Sequence, residues 1–278
     1  MLLKVMSKTK LVFDIDGTLI DTNRSYRLAI RKTVEFLTKE SVYLSEIDFL
    51  KNQKGFNNDW YAAYVLANLK CFQVAADKYL SLKLNKKTEK IPFEKVKDVF
   101  QTFYLGNSRY KSNFFDIKSN GLWEKETLIF EFQDLEKLKD RYGLLSIITG
   151  RTYEEAVYAL EHFNMVGFFD QIISVEDREK LTFDEKPMLQ KIPIDKSNPI
   201  YFYQIKDIGF YDKIFYFGDN IADMQLVSNA RNFLPIYSGL LLQSYPKKSR
   251  NSFIEKVRCY SPDYLFQDKV NVIELLLK

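Results

Sequence analysis

Leu11-Val12-Phe13-Asp14-Ile15-Asp16-Gly17-Thr18-Leu19 is the stretch on which the fold turns. Three apolar residues in a row, with no polar alternate, suit a strand buried on both faces, as in a parallel sheet. The run stops on two acids with a glycine behind them. Two further apolar runs stop in a similar way. Leu144 to Ile148 meets Thr149-Gly150, and Ile214-Phe215-Tyr216-Phe217 meets Gly218-Asp219. In parallel sheets, function gathers at the carboxyl ends of the strands. Three such ends carrying Asp or Thr beside Gly therefore point to one site assembled from distant parts of the chain.

Helical patterns lie between these runs. Tyr26, Ile30, Val34 and Leu37 share one face of a helix beginning near Thr22, and Phe132, Leu135, Leu138 and Tyr142 share another. Thr152 with Glu155 three residues on forms a capping box ahead of Ala156-Val157 and Leu160. Gln171–Val175 and Asn232–Ile236 read as further strands, with Pro235 placing the second at an edge or a strand end. Strand–helix alternation predicts an α/β fold with a doubly wound parallel sheet. Residues 23–122 differ, with helical stretches around 23–39, 58–70, 73–84 and 92–106 and no clear strand. The expected division is a Rossmann-like core of 1–22 and 123–278 with an inserted all-helical domain of 23–122.

Composition narrows the function. The 278 residues are 46% hydrophobic and 28% charged, which argues for a globular chain and against disorder. A net charge of +4 is too mild for a nucleic-acid groove. No apolar stretch approaches the roughly 18 residues of a membrane helix. Cys71 and Cys259 make neither a disulfide framework nor a CxxC site. The opening MLLKVMSKTK lacks the long apolar core of a signal peptide, so a cytoplasmic location is expected. His162 is the only histidine, which argues against a His-based triad or a multi-His metal site. Acid–base chemistry then falls to carboxylates, Lys, Tyr or a metal. The oligomeric state is not readable from this sequence.

Asp14 and Asp16, two residues apart on an extended chain, point the same way. Their repulsion implies a divalent cation between them. Gly17 permits a sharp turn directly after the pair.

These residues belong to a set of four motifs in which the chain resembles the haloacid dehalogenase superfamily. DIDGTL stands at 14–19, a hydrophobic strand ends at Ile147-Ile148-Thr149-Gly150, Lys186-Pro187 comes next, and Gly218-Asp219-Asn220-Ile221-Ala222-Asp223 completes the order. The resemblance spans almost the whole chain. Its first and fourth motifs are specific, whereas a lone Thr or Lys-Pro is weak. The helical insertion after the first motif is similar to the cap of the branch that holds phosphoglycolate phosphatase and β-phosphoglucomutase. Within it, Lys54-Gly55-Phe56-Asn57-Asn58-Asp59-Trp60 resembles the cap's substrate-specificity loop, making Lys54, Gly55, Asn57 and Asn58 substrate-binding candidates. The same stretch also reads as an interhelical turn ahead of a helix cap.

The resemblance implies the roles. Asp14 is the expected nucleophile, forming an aspartyl phosphate, and Asp16 the acid that protonates the leaving group. Mg²⁺ is expected on Asp14, the backbone carbonyl of Asp16, and Asp219, with Asp223 either a further ligand or linked through water. Thr149 and Gly150 would hold phosphate oxygens, and Lys186 would stabilise the transferring group. Arg151 either reaches substrate or makes a surface ion pair. The expected function is a Mg²⁺-dependent phosphatase acting on a small phosphorylated metabolite. The alternatives are a phosphoglucomutase-like phosphotransferase and a non-catalytic binding protein, the latter disfavoured because Asp14 and Asp16 are both present. A dehalogenase is disfavoured too, since that branch is metal-free and lacks the second acid. A phosphonatase would need a Schiff-base lysine, for which Lys51 and Lys54 are the available positions.

Overall fold

The first apolar run forms strand β1, Thr9–Phe13, which is buried from Lys10 onward. Its side chains alternate between two cores. Leu11 and Phe13 pack with Phe130, Leu135, Leu138 and Phe217, whereas Val12 packs with Ile148, Tyr201 and Tyr216 on the other face. Burial on both faces is why the run is continuously apolar. Phe13 stacks on Phe217 at 4.9 Å and meets Phe130 edge-on at 5.6 Å.

The structure, a computed structural model, describes residues 8–51, 53, 56, 58–81, 88–174 and 195–278. The remaining strands are β2 (Ile20–Asp21), β3 (Thr127–Leu128), β4 (Leu145–Thr149), β5 (Phe169–Ser174), β6 (Lys213–Gly218), β7 (Ile236–Leu241) and β8 (Tyr264–Phe266). Five of them join β1 in a parallel sheet in the order β5-β4-β1-β6-β7-β8, and β2 pairs antiparallel with β3 in a separate ribbon. The chain winds outward from β1 through β4 to β5, returns to β6, and winds outward the other way. This is the doubly wound, Rossmann-like arrangement, and its direction reverses between β1 and β6, where α/β sheets bind ligands. The register sets the site. Phe13 lies opposite Phe217, and the Asp14 amide donates to the Phe217 carbonyl at 2.8 Å, so β1 and β6 end level.

The last two strands of the sheet differ from their sequence reading. The strand expected at Asn232–Ile236 starts at Ile236 instead and runs to Leu241 inside the sheet, so Pro235 marks a strand end and not a sheet edge. Residues before it are spent leaving the preceding helix, with the amides of Phe233 and Leu234 both donating to the Ala230 carbonyl. Gly239 masked the strand pattern. It stands where an added Cβ would come within 2.5 Å of the Phe217 ring. The short β8 had no sequence signal strong enough to be read.

The chain divides into two compact units, Met1–Asp21 with Thr127–Lys278, and Thr22–Glu126. The second unit holds α-helices Tyr26–Thr38, Leu44–Lys51, Asp59–Cys71 and Phe93–Leu105, with a 3₁₀ turn at Ala76–Ser81 where a longer helix was expected. Leu44–Lys51 was not anticipated. The unit runs past residue 122 because Trp123 joins its core and Glu126 accepts hydrogen bonds from Ser25 Oγ (2.9 Å) and Tyr104 Oη (3.0 Å). Among the described residues no helix is long and apolar enough to cross a membrane.

Lys10 is a buried cation near the start of β1. Its Nζ donates to Asp170 Oδ2 at 2.6 Å and to the Leu144 carbonyl at 3.0 Å. The pair is lopsided, because the Lys10 side chain is 2% exposed and that of Asp170 33%. Removing the acid strands a buried charge, whereas removing the lysine leaves a carboxylate that reaches water. Asp170→Ala is therefore expected to cost about 2–3 kcal/mol in urea unfolding, discounted from the 3–5 kcal/mol typical of fully buried pairs, and Lys10→Met less than about 1 kcal/mol. Equal losses would contradict this account of the pair.

Candidate active site

Asp14 leaves the end of β1 with its carboxylate 2% exposed. One oxygen, Oδ2, accepts from Lys196 Nζ at 2.6 Å. The other, Oδ1, is buried and has no hydrogen-bond partner among the described residues. Behind it the chain folds back sharply, with the amides of Leu19 and Ile20 both donating to the Ile15 carbonyl and that of Gly17 to Ile20. Gly17 sits at φ +69°, and a Cβ there would fall 1.8 Å from Asp219 Oδ2. Glycine is required at this point both for its backbone angle and for the close approach of the second acid.

The Gly218–Asp223 motif is the beginning of a helix. Asn220 caps Ile221–Ala230, accepting from the Asp223 amide at 3.1 Å, and Asp223 reciprocates from the N3 position. Asp223 Oδ2 accepts from the amides of Asp219 (3.0 Å) and Asn220 (3.1 Å). Its Oδ1 accepts from Tyr216 Oη (2.8 Å) and Lys196 Nζ (2.7 Å). Carboxylate oxygens of Asp14, Asp219 and Asp223 lie within 4.8 Å of one another. Four donors nevertheless fill the lone pairs of Asp223, so it orients Lys196 and the Asp219 backbone. Asp219 is held more loosely, by Asn220 Nδ2 (3.2 Å) and Ser244 Oγ (3.1 Å).

At the end of β4, Thr149 is fully buried and its Oγ1 accepts from the Arg151 amide at 3.2 Å. Gly150 is exposed, and an added Cβ there would meet nothing within 4 Å. Arg151 is buried rather than on the surface, and its guanidinium is bonded to Asp16.

Lys196 went unread in the sequence. Lys186, the lysine expected at this place, lies outside the described residues, as do Lys54, Gly55 and Asn57. Asn58 caps the helix Asp59–Cys71 in the helical unit, accepting from the Tyr61 amide at 2.9 Å. The segment Asp195-Lys196-Ser197-Asn198-Pro199 is dense in turn formers just ahead of the helix Ile200–Tyr203, which was the available signal. Asp195 accepts from the Ser197 amide, Asn229 Nδ2 donates to the Ser197 carbonyl at 2.9 Å, and Asn198 accepts from the Ile200 amide. The lysine is thus aimed by its own backbone turn.

Burial disfavours the charge on Lys196, but attraction from Asp14 and Asp223 outweighs it and holds the ammonium above its ordinary pKa. The acids are less well served. Burial, then repulsion from Asp223, pushes Asp219 up to about 7 against the pull of Lys196, Asn220 and Ser244. Burial likewise raises Asp14, against the pull of Lys196 and with Asp223, Asp16 and Asp219 adding to it. Among the described residues, four carboxylates share this site with two buried cations, Lys196 and Arg151. That leaves two negative charges over among the described residues, with the Asp14 Oδ1 oxygen buried and without a described partner. That donor set fits a hard divalent cation, which takes oxygen ligands.

A family model for haloacid dehalogenase-like hydrolases matches residues 11–231. The chain belongs to that family. No curated protein matches this hydrolase. Among solved structures, the hydrolase is similar to phosphatase Tt82 from Thermococcus thioreducens, at 23% identity and a TM-score of 0.63 over 83% of this chain and 91% of that one. It is also similar to a predicted phosphoglycolate phosphatase from Haemophilus somnus 129pt, at 16% identity and a TM-score of 0.61 over 96% and 97% of the two chains. At these identities the likeness is one of fold.

The raised Asp219 carboxyl makes the metal-free hydrolase sensitive to pH. In the folded chain Asp219 holds its proton up to about 7, whereas the unfolded chain releases it near the ordinary value of about 3.9. Between those values the folded state binds more protons, so this group's contribution to stability falls as pH rises. A divalent cation bound at this carboxylate would replace the proton and remove the loss. The thermal shift between Mg²⁺-loaded and EDTA-treated protein is therefore expected to widen from pH 5 to pH 8. A shift that is constant across that range would count against the electrostatic account.

Proposed function

We propose that the hydrolase is a Mg²⁺-dependent phosphatase that cleaves a small phosphorylated metabolite through an aspartyl phosphate. The observation that carries this reading is the Asp14 carboxylate, with Oδ2 fixed by Lys196 and Oδ1 buried without a described partner. A structural aspartate would have both oxygens satisfied. One that has to attack phosphorus needs an oxygen kept available.

In this reading Asp14 attacks phosphorus and the bond to the leaving oxygen breaks as Asp16 gives that oxygen a proton. Asp16 then takes a proton from water, whose oxygen attacks the phosphoryl group, releasing inorganic phosphate and restoring Asp14. Lys196 offsets charge on Asp14 and the transferring group. The Thr149 hydroxyl is available as a donor to a phosphate oxygen. Mg²⁺ would be held by Asp14, Asp219 and the backbone carbonyl of Asp16, and when bound it supplies charge neutralisation and polarises the phosphoryl group. Asp223 acts by holding Lys196 and the Asp219 backbone in place.

The family match and the fold shared with a named phosphatase support the same reading. The helical unit, Thr22–Glu126, is assigned here as the cap that selects the substrate.

The test is hydrolysis of p-nitrophenyl phosphate with Mg²⁺ and with EDTA. Magnesium-dependent turnover is expected, falling to background in Asp14→Asn with an unchanged circular-dichroism spectrum. Lys196→Gln is expected to lower kcat by about 10²–10³-fold, the cost of losing one group aimed at developing charge. Turnover that persists in Asp14→Asn would assign the nucleophile elsewhere.

A further inference from the structure

Arg151 directly succeeds the turn at the end of β4 and precedes the helix Tyr153–His162, capped by Thr152. An arginine at a helix start ordinarily extends into water. This one is buried, with its side chain 1% exposed, and it ends on Asp16, whose side chain is 31% exposed. Nε donates at 2.9 Å and Nη2 at 2.7 Å, both to Asp16 Oδ1. Asp16 Oδ2 has no hydrogen-bond partner among the described residues. The backbone of Arg151 is held at both ends, its amide donating to Thr149 Oγ1 (3.2 Å) and its carbonyl accepting from Ser174 Oγ at the end of β5 (2.6 Å).

We propose that Arg151 is a positioning residue, which locks the Asp16 carboxylate through one oxygen and leaves the other to exchange protons with the leaving group. The proposal rests on the phosphatase reading above. Its direction comes from burial. The guanidinium is enclosed and the Arg151 backbone is tethered to the ends of β4 and β5, whereas Asp16 is partly open to solvent, so the arginine is the fixed partner. Burying a guanidinium is costly unless it is well paired. The planar fork recovers this cost by meeting a carboxylate with two bonds in a set orientation. Both bonds converge on a single oxygen. A general acid must stand within about 2.6–3.2 Å of the oxygen it protonates. An aspartate side chain turning freely at a partly exposed position holds that distance only part of the time.

Proton donation matters in proportion to how poor the leaving group is. In forming the aspartyl phosphate, the P–O bond breaks and its electron pair goes to the leaving oxygen. A nitrophenolate departs without a proton, whereas an alkoxide needs the one from Asp16. A residue acting through Asp16 therefore has an effect that depends on the leaving group, while a residue binding phosphate affects both esters alike.

The experiment compares kcat/KM for p-nitrophenyl phosphate and for an alkyl phosphate such as glycerol phosphate, with saturating Mg²⁺. This constant reports the steps up to departure of the leaving group. Arg151→Gln is expected to lose about 10–100-fold more on the alkyl ester than on the aryl ester, within the 10²–10⁴-fold range of general acid catalysis. Asp16→Asn is expected to show the same bias, and the double variant no more bias than Asp16→Asn alone. Arg151→Lys, which keeps the charge but loses the fork, carries the test if the glutamine variant does not fold, and the bias is expected in the same direction. Equal losses on both esters in a folded Arg151 variant would overturn the role of Arg151 while leaving the phosphatase reading intact. A wild-type protein that cleaves neither ester would remove the phosphatase reading and this proposal together.

Discussion

The ammonium of Lys196, seated between Asp14 and Asp223, is the interaction on which the site depends. Each of these three groups is at least 94% buried and would be costly alone. Together they form a chain of charge in which the lysine holds the end of β1 to the first turn of the helix after β6. Taking the lysine away leaves two carboxylates facing each other in an apolar sheet. Taking either acid away leaves a buried charge with half its compensation. Such a triad is weak evidence for stability, because well-packed apolar residues often do as well. The arrangement makes better sense as a way of holding Asp14 with one oxygen anchored and the other available.

The fold makes that arrangement possible through register and through two glycines. β1 and β6 are adjacent and end level, with Phe13 opposite Phe217 and the stacked rings filling the core beneath. The acids one and two residues beyond therefore meet whichever way the surface loops run. Gly17 then lets the turn after β1 pass against Asp219, and Gly218 lets the chain pass against Asp223, where a Cβ would sit 2.4 Å from the carboxylate carbon. Acids are drawn this close only because the backbone between them carries no side chains.

Much of this could be read from residue types. Three apolar runs stopping at Asp or Thr located the strand ends, since strands buried on both faces must be apolar and the chain turns polar where it emerges from them. The Gly218–Asp223 motif could also be read, but part of its meaning is local. Asp223 is the N3 residue of a capping box, so its spacing from Asp219 reflects helix initiation as well as chemistry. Lys196 was hidden for a physical reason. A lysine aimed inward by a turn has no periodicity, and nothing but the turn formers around it separates it from the many solvated lysines of this chain. Arg151 was placed next to the site by sequence, but its burial was not, because burial there is set by β5 and by Asp16, far away along the chain. β7 was displaced in the reading because Gly239, needed to make room for Phe217, breaks the apolar run that would have marked it.

The helical unit raises a separate question, namely how a long insertion leaves the turn beside Asp14 undisturbed. Two local devices answer it. On the core side, β2 and β3 pair Ile20 with Leu128 and Asp21 with Thr127, and the Ile129 amide donates to the Leu19 carbonyl at 2.8 Å. The outgoing and returning strands are thus fastened together directly behind the turn that follows Asp14. Within the helical unit, Glu126 at its end accepts from Ser25 near its start and from Tyr104, so the two ends of the insertion are brought together there as well. An insertion whose ends are held together imposes little loop-closure cost on its host. Its own core, built around Ile30, Leu66, Phe100 and Tyr104, is separate from the clusters that support the sheet. The ion pairs and hydrogen bonds that hold Asp14, Lys196 and Asp219 join residues of the unit that carries the sheet.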